Sequence, residues 1–570
     1  MKMHKEVVIH RQPYLRSGVK MLLALVGMIA IVSLTLIFQQ PPKPLTSTAD
    51  ERGFSAERAM KYLNWIAAEP HPTTSKANEK VRDYLVEQMT LMGLNPAVDA
   101  FNKVDKTSDD NRLVEVHNVI GVLKGSEDGK AVMLSAHYDS VAEGSGANDD
   151  GTAVAALLET ARALKSGAPL KNDVWFVFTD GEELGMLGAE GFWENHDYQQ
   201  KIGFVANFEA RGSRGSSMMF QTSDHNGKLI RELGKASPPS VLANSFMGDI
   251  YKILPNDTDF TKSLQAGIPG LNFAYIEGWR VYHTQQDDLD HVSMSSFQHH
   301  GENALSIAKH FGNLDLSNLH SDNEIYFSLF GTLIHYPQFI AAPLAGLLVI
   351  LYIGQVVVAL ARRVVRPRGL AYSLLMNALC MILSTAISYL LYRGIYALLG
   401  SRSLTEQQAI MLDCSFLVIA LLVHAALYVR MKNQFNDMEN LLTGILFFLL
   451  LLLGSLLYLP GASYLLALPL VIQCIAMGYA LMKPDPIGML NRSFILFITA
   501  VPPIVLFTSV FYLLFIGLDP SLNVVGAFLL SFILPMLQPL HKWLFGAPRM
   551  FIPLLVTALI ILCTGTLLPM

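Results

Sequence analysis

Between residues 50 and 320 this 570-residue chain has no cysteine; its four, Cys380, Cys414, Cys474 and Cys563, all fall in apolar C-terminal runs. That absence removes a disulfide framework and a thiolate metal site from the polar part of the chain. Charge is also scarce, with Asp, Glu, Lys and Arg at 16% of residues and a formal net charge of -5. Lacking a basic footprint, the chain is not expected to bind nucleic acid. What it has in quantity is apolar surface: 52% of residues are hydrophobic and the mean hydropathy is +0.36. That is the composition of a membrane protein with a soluble portion, and the length is too great for one domain.

The first apolar segment, residues 21–38, is long enough to act as a transmembrane anchor. Lys2, Lys5, Arg11, Arg16 and Lys20 precede it, so the positive-inside rule places residues 1–20 in the cytoplasm and the chain beyond the anchor outside. The stretch after it, FQQPPKPL, offers no small-residue cleavage site, which favours a retained anchor over a signal peptide. Residues 50–316 then read as a globular extracytoplasmic domain. Helical patterns cover 55–68, with Ser55 as N-cap, 75–92, 152–165 and 228–236. Apolar runs of strand length begin at His117, Ala131, Asp173, Ile202 and Ile268. Alternation of this kind predicts an α/β domain, a mostly parallel mixed sheet flanked by helices.

Residues 317–337 read as a linker, and 338–570 as a polytopic α-helical membrane domain. Its eight expected spans are 338–361, 370–392, 409–429, 441–458, 464–482, 494–518, 524–540 and 551–567. Arg362, Arg363, Arg366 and Arg368, then Arg430 and Lys432, Lys483 and Arg492, and Lys542 and Arg549 come after alternate spans, as cytoplasmic loops should. Asp413, His424 and the pair Pro502–Pro503 are the polar or helix-breaking positions within the spans, and in the sequence they do not form a set.

The chemistry concentrates in the globular part. In TDGEELGMLGA, residues 179–189, Glu182 and Glu183 come after the apolar run DVWFVFTD, so they sit where a buried strand turns at Gly181. One carboxylate of such a pair can bind a metal while its neighbour takes a proton from water, although a solvated loop end is the commoner use of Glu-Glu. Earlier, the strand AVMLSA runs into HYDS, which offers His137 as a zinc ligand and Asp139 to position its imidazole. The turn GSGANDDGTAV carries Asp149 and Asp150 at a helix start; Asp149 serves either as an N-cap or as a carboxylate bridging two metals. Glu209 ends the strand VANFEARGS and His283 lies in the loop GWRVYHTQQDD. Each is ordinary alone, but together they supply His137, Asp149 and Glu209 for one zinc and Asp149, Glu183 and His283 for another. Nitrogen and oxygen ligands without thiolates leave positions open for water and substrate.

HYDS, GANDDGT, TDGEELGMLGA, FEARGS and YHTQQDD, in this order and spacing, resemble metallopeptidase family twenty-eight, the di-zinc aminopeptidases and glutamate carboxypeptidases. The opening EPHPTTSKANEKVRDYL is similar to the family's N-terminal part. An anchor, a peptidase domain and a polytopic C-terminal region most resemble its branch of endoplasmic-reticulum metallopeptidases and vacuolar membrane proteases. By motif the resemblance covers about residues 55 to 315. It implies the zinc exopeptidase fold, two Zn2+ per chain on His137, Asp149, Glu183, Glu209 and His283, and Glu182 as general base. It also implies that Asp139 supports His137, that the Asp149–Asp150 peptide is cis, and that Tyr282 is placed to donate to the tetrahedral oxyanion. Glu209 departs from the aspartate that many members carry.

The function expected is a membrane-anchored zinc exopeptidase acting on peptides, aminopeptidase favoured over carboxypeptidase. Arg211, Arg214 and Arg280 could grip a substrate carboxylate, and Asp257, Asp259 and Asp287 an amine. Two other readings compete: a non-catalytic binding ectodomain on the same fold, and a single-zinc acyltransferase resembling glutaminyl cyclase, for which His137 and Glu209 together are superfluous. The topology puts the peptidase domain in a periplasm or a lumen, and the chain length favours a bacterial inner membrane. The sequence specifies no oligomeric state.

Overall fold

The computed structural model describes residues 17–107, 111–236, 238, 240–400, 402–492, 498–537, 540–545 and 548–567. The expected cytoplasmic tail therefore lies largely outside the described residues, as does the start of the span expected at 494–518. The chain divides into two compact units, Leu36–Ala345 with Leu452–Tyr464, and Met1–Thr35 with Gly346–Leu451 and Leu465–Met570.

The first unit is built on a seven-stranded sheet of β1 (Ala97–Val104), β2 (Leu113–Leu123), β3 (Ala131–His137), β4 (Val174–Thr179), β5 (Ile202–Ala210), β6 (Met218–Thr222) and β7 (Gly270–Tyr275). Their order is β1-β2-β4-β3-β5-β7-β6. The central β4-β3-β5-β7 strands are parallel, and β1, β2 and β6 pair antiparallel at the two sides. The expected mixed sheet is thus present, with its parallel part in the middle. β1 and β6 were not among the expected strands, because β1 is half exposed throughout and β6 spans five residues.

Period-2 alternation sorts each central strand between two cores. Val174, Phe176 and Phe178 of β4 and Phe204, Ala206 and Phe208 of β5 enter the larger core, with the helices Ala56–Ile66, Ala153–Lys165 and Met294–Phe311. Trp175 and Val177, with Ile202 and Val205, enter the smaller one beside Phe192, Trp193 and Phe260. Burial on both faces is why these strands read as unbroken apolar runs. Each fully buried Phe contributes about 1.5–3 kcal/mol, and Phe204 stacks on Phe311 with centroids 3.9 Å apart. The two expected helix starts hold: Ser55 Oγ accepts from Arg58 N at 3.3 Å and Ser75 Oγ from Asn78 N at 3.1 Å.

The stretch expected as a linker contains an antiparallel hairpin, β8 (Glu324–Leu329) and β9 (Thr332–Pro337). Its turn, Phe330–Gly331, has φ of 49° and 77°, the conformation of a tight type I′ connection.

Among the described residues of the second unit and its connections, six helices are long and apolar enough to cross a membrane: Gln338–Ala361, Pro367–Leu399, Glu406–Met431, Asp437–Tyr458, Pro460–Leu481 and Ile498–Gly517. Met21–Ile37, Pro520–Met536 and Phe551–Leu567 are shorter apolar helices, so the spans expected at 524–540 and 551–567 are weaker than the others. Seventeen helical residues reach about 25 Å, short of a hydrocarbon core of about 30 Å. Pro502 and Pro503 break nothing, since they occupy the first turn of the helix Val501–Gly517, where a missing N–H costs no helical bond. Asp413 and His424 each find a partner from another helix: Asp413 Oδ2 accepts from Asn523 Nδ2 at 2.9 Å, and His424 and His541 share a hydrogen bond between Nε2 atoms at 2.7 Å. Such interhelical bonds hold helices together where apolar surface gives no preference.

Candidate metal centre

The candidate residues sit at the carboxyl ends of neighbouring parallel strands, where α/β sheets place their sites. His137 is the last residue of β3, Glu182 and Glu183 come after β4, Glu209 is the penultimate residue of β5, and His283 lies beyond β7. The strand order β4-β3-β5-β7 therefore brings them to one rim.

The turn after β4 is fixed tightly. Gly181 adopts φ +72°, and a Cβ on Gly188 would come within 2.4 Å of the Asp180 carbonyl oxygen, so the helix Leu187–Glu194 must begin against bare backbone. Asp139 then sets the two glutamates: its Oδ1 accepts from Glu182 N at 3.1 Å and its Oδ2 from Glu183 N at 3.2 Å. Thr73 Oγ1 donates to the same Oδ2 at 3.0 Å. Asp139 Oδ1 is also 3.4 Å from His137 Nδ1, which donates to the Asp139 carbonyl at 3.0 Å. One buried carboxylate thus orients the imidazole and both glutamates. With its Nδ1 engaged, His137 turns Nε2 toward the carboxylates.

Those contacts converge on two points. His137 Nε2 is 3.1 Å from Asp149 Oδ1 and 3.7 Å from Glu209 Oε2. His283 Nε2 is 3.4 Å from Asp149 Oδ2 and 3.1 Å from Glu183 Oε2. Asp149 therefore presents one oxygen to each histidine. Its loop, whose Asp149–Asp150 peptide is cis, is pinned by Asp287, which accepts from Asn148 N at 2.7 Å, Asn148 Nδ2 at 2.9 Å and Asp149 N at 3.2 Å. Three groups have ligand atoms within 4.8 Å of one another: His137 with Asp149 and Glu209, Asp149 with Glu183 and His283, and His137 with Glu182 and Glu183. Glu182 belongs to neither of the two groups that share Asp149.

The electrostatics of the cluster point to the charge it accommodates. Burial, with the negative charge of Asp149 and Asp259 nearby, pushes Glu209 up to about 8 despite His137. Burial also raises Glu182 well above the carboxylate range, and Glu183 rises for the same reason. Burial works against a charge on His283, yet its bonds to Asp149 and Glu183 lift it to about 10. Carboxylates driven toward neutrality and imidazoles driven toward the cation mark a cluster short of positive charge. A divalent cation on these nitrogen and oxygen donors would supply it, and the donor set suits zinc. His137, Asp149 and Glu209 could hold such an ion, as could Asp149, Glu183 and His283.

Tyr282 stacks on His283 with centroids 3.8 Å apart and lies under Arg211 at 5.9 Å. Its hydroxyl is driven up by burial and then by the charges of Asp149, Glu183, Glu182 and Glu209. Arg214 pairs with Glu277 at 3.0 Å, and Arg280 lies over Trp279 at 5.0 Å. Asp257 accepts from Thr261 Oγ1 at 3.0 Å on an exposed helix end, and Asp287 is consumed by the Asp149 loop. Asp259 is buried, accepts from Thr179 Oγ1 and leaves its Oδ1 without a partner among the described residues. Residues the sequence did not point to are the supports: Thr73; Asn207, whose Nδ2 donates to Glu209 Oε1 at 3.1 Å; and Asp180, which accepts from Asn78 Nδ2 at 3.1 Å and His117 N at 3.0 Å. All but one of these bonds cross long sequence separations, so no local pattern could reveal them.

The chain is 29% identical over 399 residues to endoplasmic reticulum metallopeptidase 1 of Rattus norvegicus, covering 66% of this chain and 43% of that protein. It is 28% identical over 295 residues to vacuolar membrane protease of Candida dubliniensis, covering 50% of this chain and 31% of the relative. It thus spans less than half the length of these relatives. Among solved structures, an aminopeptidase from Aneurinibacillus sp. strain AM-1 superposes with a TM-score of 0.39 at 14% identity, over 46% of this chain and 95% of that one. A glutaminyl cyclase of Porphyromonas gingivalis gives 0.37 at 20% identity, over 44% and 96%. The description of the family model that matches residues 118–308 is Peptidase family M28. Through those residues, which hold every side chain of the centre, the chain carries a peptidase family M28 domain.

Proposed function

We propose that the chain is a membrane-anchored, zinc-dependent exopeptidase that releases residues from the amino end of peptides. The observation that carries this reading is the pair of ligand groups meeting at Asp149, with Glu182 held beside them by Asp139. Zinc bound there would polarise the scissile carbonyl and make water acidic enough to give up a proton near neutral pH. Glu182, ionised once positive charge lies beside it, takes that proton and passes it to the leaving amine. Tyr282 donates its hydroxyl to the oxygen that gains charge in the transition state. Asp139 keeps His137 and the Glu182–Glu183 turn in register throughout.

The preference for an amino end draws support from charge. The centre gathers Asp149, Glu182, Glu183, Glu209 and Asp259, an acidic surplus that favours an ammonium over a carboxylate, and Arg214 is already paired. Peptides with free and acetylated α-amines separate the two exopeptidase types. We expect stepwise hydrolysis of the free form and none of the acetylated form; the reverse pattern, or equal rates, would reject the aminopeptidase assignment. The complete ligand set speaks against a non-catalytic ectodomain, and two groups sharing Asp149 speak against a one-metal cyclase.

The peptidase unit is placed outside the cytoplasm, in a periplasm or a lumen, because the Arg- and Lys-rich loops come after alternate spans. Reporter fusions should read an outer location after Leu316 and a cytoplasmic one after Arg368. A cytoplasmic signal at Leu316 would overturn this topology.

A further inference from the structure

Three passages of chain leave the peptidase unit for apolar helices, and all three meet the β8–β9 hairpin. The helix Met21–Ile37 ends just before Phe38, whose ring contacts Phe330 at the hairpin tip with centroids 5.4 Å apart. β9 runs at Pro337 directly into the helix Gln338–Ala361. The segment Leu452–Tyr464, where the helix Asp437–Tyr458 ends and Pro460–Leu481 begins, belongs to this unit; its Tyr464 stacks on Phe327 at 4.5 Å, and its Gly461 bonds to Ser245 and Asp249. Where helices of membrane length span a bilayer, the chain segments that enter them lie at its surface.

The hairpin has two faces. Tyr326 enters the large core and Leu333 packs against it, fixing one face to the peptidase. On the other, Phe327 lies opposite Ile334. Ile334 and the turn residue Phe330 remain 36% and 41% exposed, alongside exposed Phe38, Phe339 and Tyr458. Aromatic and branched side chains left uncovered at a chain entry point suit the boundary between headgroups and acyl chains, where amphipathic rings collect.

We infer that the β8–β9 hairpin is an interfacial lipid anchor, bedding Phe330 and Ile334 at the headgroup–acyl boundary so that the peptidase unit is held against the membrane surface. The inference rests on the membrane reading above.

Tryptophan placed at single positions of the full chain in lipid nanodiscs tests this, read as the fluorescence added over wild type. Phe330→Trp and Ile334→Trp should lose their added emission when the lipids carry brominated acyl chains and resist aqueous acrylamide. Leu351→Trp, at an exposed position of the helix Gln338–Ala361, should also be quenched by bromine. Leu113→Trp, equally apolar and exposed but away from the entry points in sequence, should respond to acrylamide alone. Failure at Leu351 would reject the membrane reading itself. Quenching at Leu351 with acrylamide-sensitive emission at 330 and 334 would reject the anchor, as would emission shielded from both quenchers, which would mean that protein covers the face.

Discussion

Glu182→Gln is expected to retain the wild-type metal content and fold and to lose about 10²- to 10⁴-fold in kcat. The amide keeps the shape of the carboxylate, and the backbone N–H of residue 182 still donates to Asp139 Oδ1, so the turn stays in place. What it cannot do is accept a proton at neutral pH. Because Glu182 lies outside the two ligand groups that share Asp149, the lost rate should come without lost zinc. Glu183→Gln should behave differently, since Glu183 is one of the groups around His283 and a neutral amide is a poor ligand. Metal analysis beside steady-state kinetics separates the two. Loss of zinc in the Glu182 variant with retention in the Glu183 variant would exchange their roles.

Asp149→Ala is expected to empty both metal positions rather than one. Its two oxygens face different histidines, at 3.1 and 3.4 Å, so it contributes to each group and also screens the cations from each other. Wild type should hold two ions per chain and the variant close to none; a variant that kept one tightly bound ion would end the bridging assignment. Stripping the metals from wild type should leave a pH-dependent stability. Without cations Glu209 stands at about 8 in the fold against 4.5 for an ordinary glutamate. Between those values the native state binds more protons than the unfolded state, so stability falls as pH rises. The contribution is fully present below 4.5 and lost by about 8. Thermal melts of chelated protein across this window should decline with pH, and zinc-loaded protein should lack that decline.

Much of this candidate centre was legible in the sequence because its residues lie at or beyond the ends of buried strands, and strand ends are visible as apolar runs that stop. The candidate ligand atoms of His137, Asp149 and Glu209, and those of Asp149, Glu183 and His283, lie within 4.8 Å of one another in each group. The supports were not legible, because they act across the fold. Asp139 could be read as a partner of the nearby His137, but its bonds to the Glu182 and Glu183 amides join residues more than 40 positions apart. Asp287 was a candidate for holding a substrate amine, yet it pins a loop some 138 residues away. The hairpin reads as a linker in sequence because the polar SNLHSDNE precedes it, its strands do not alternate, and its partners Phe38 and Tyr464 are distant. In the apolar unit, hydropathy found the helices but not where they end, since caps and prolines such as Pro502 and Pro520 set their limits.

The most direct measurement is peptide hydrolysis by the purified full-length chain, monitored through one cycle of chelation and zinc return. The account predicts release of amino-terminal residues by the zinc-loaded protein, no release after chelation, and recovery as the second equivalent of zinc is restored. Hydrolysis that persists in metal-free protein, or a fully loaded protein that cleaves no peptide, would contradict it.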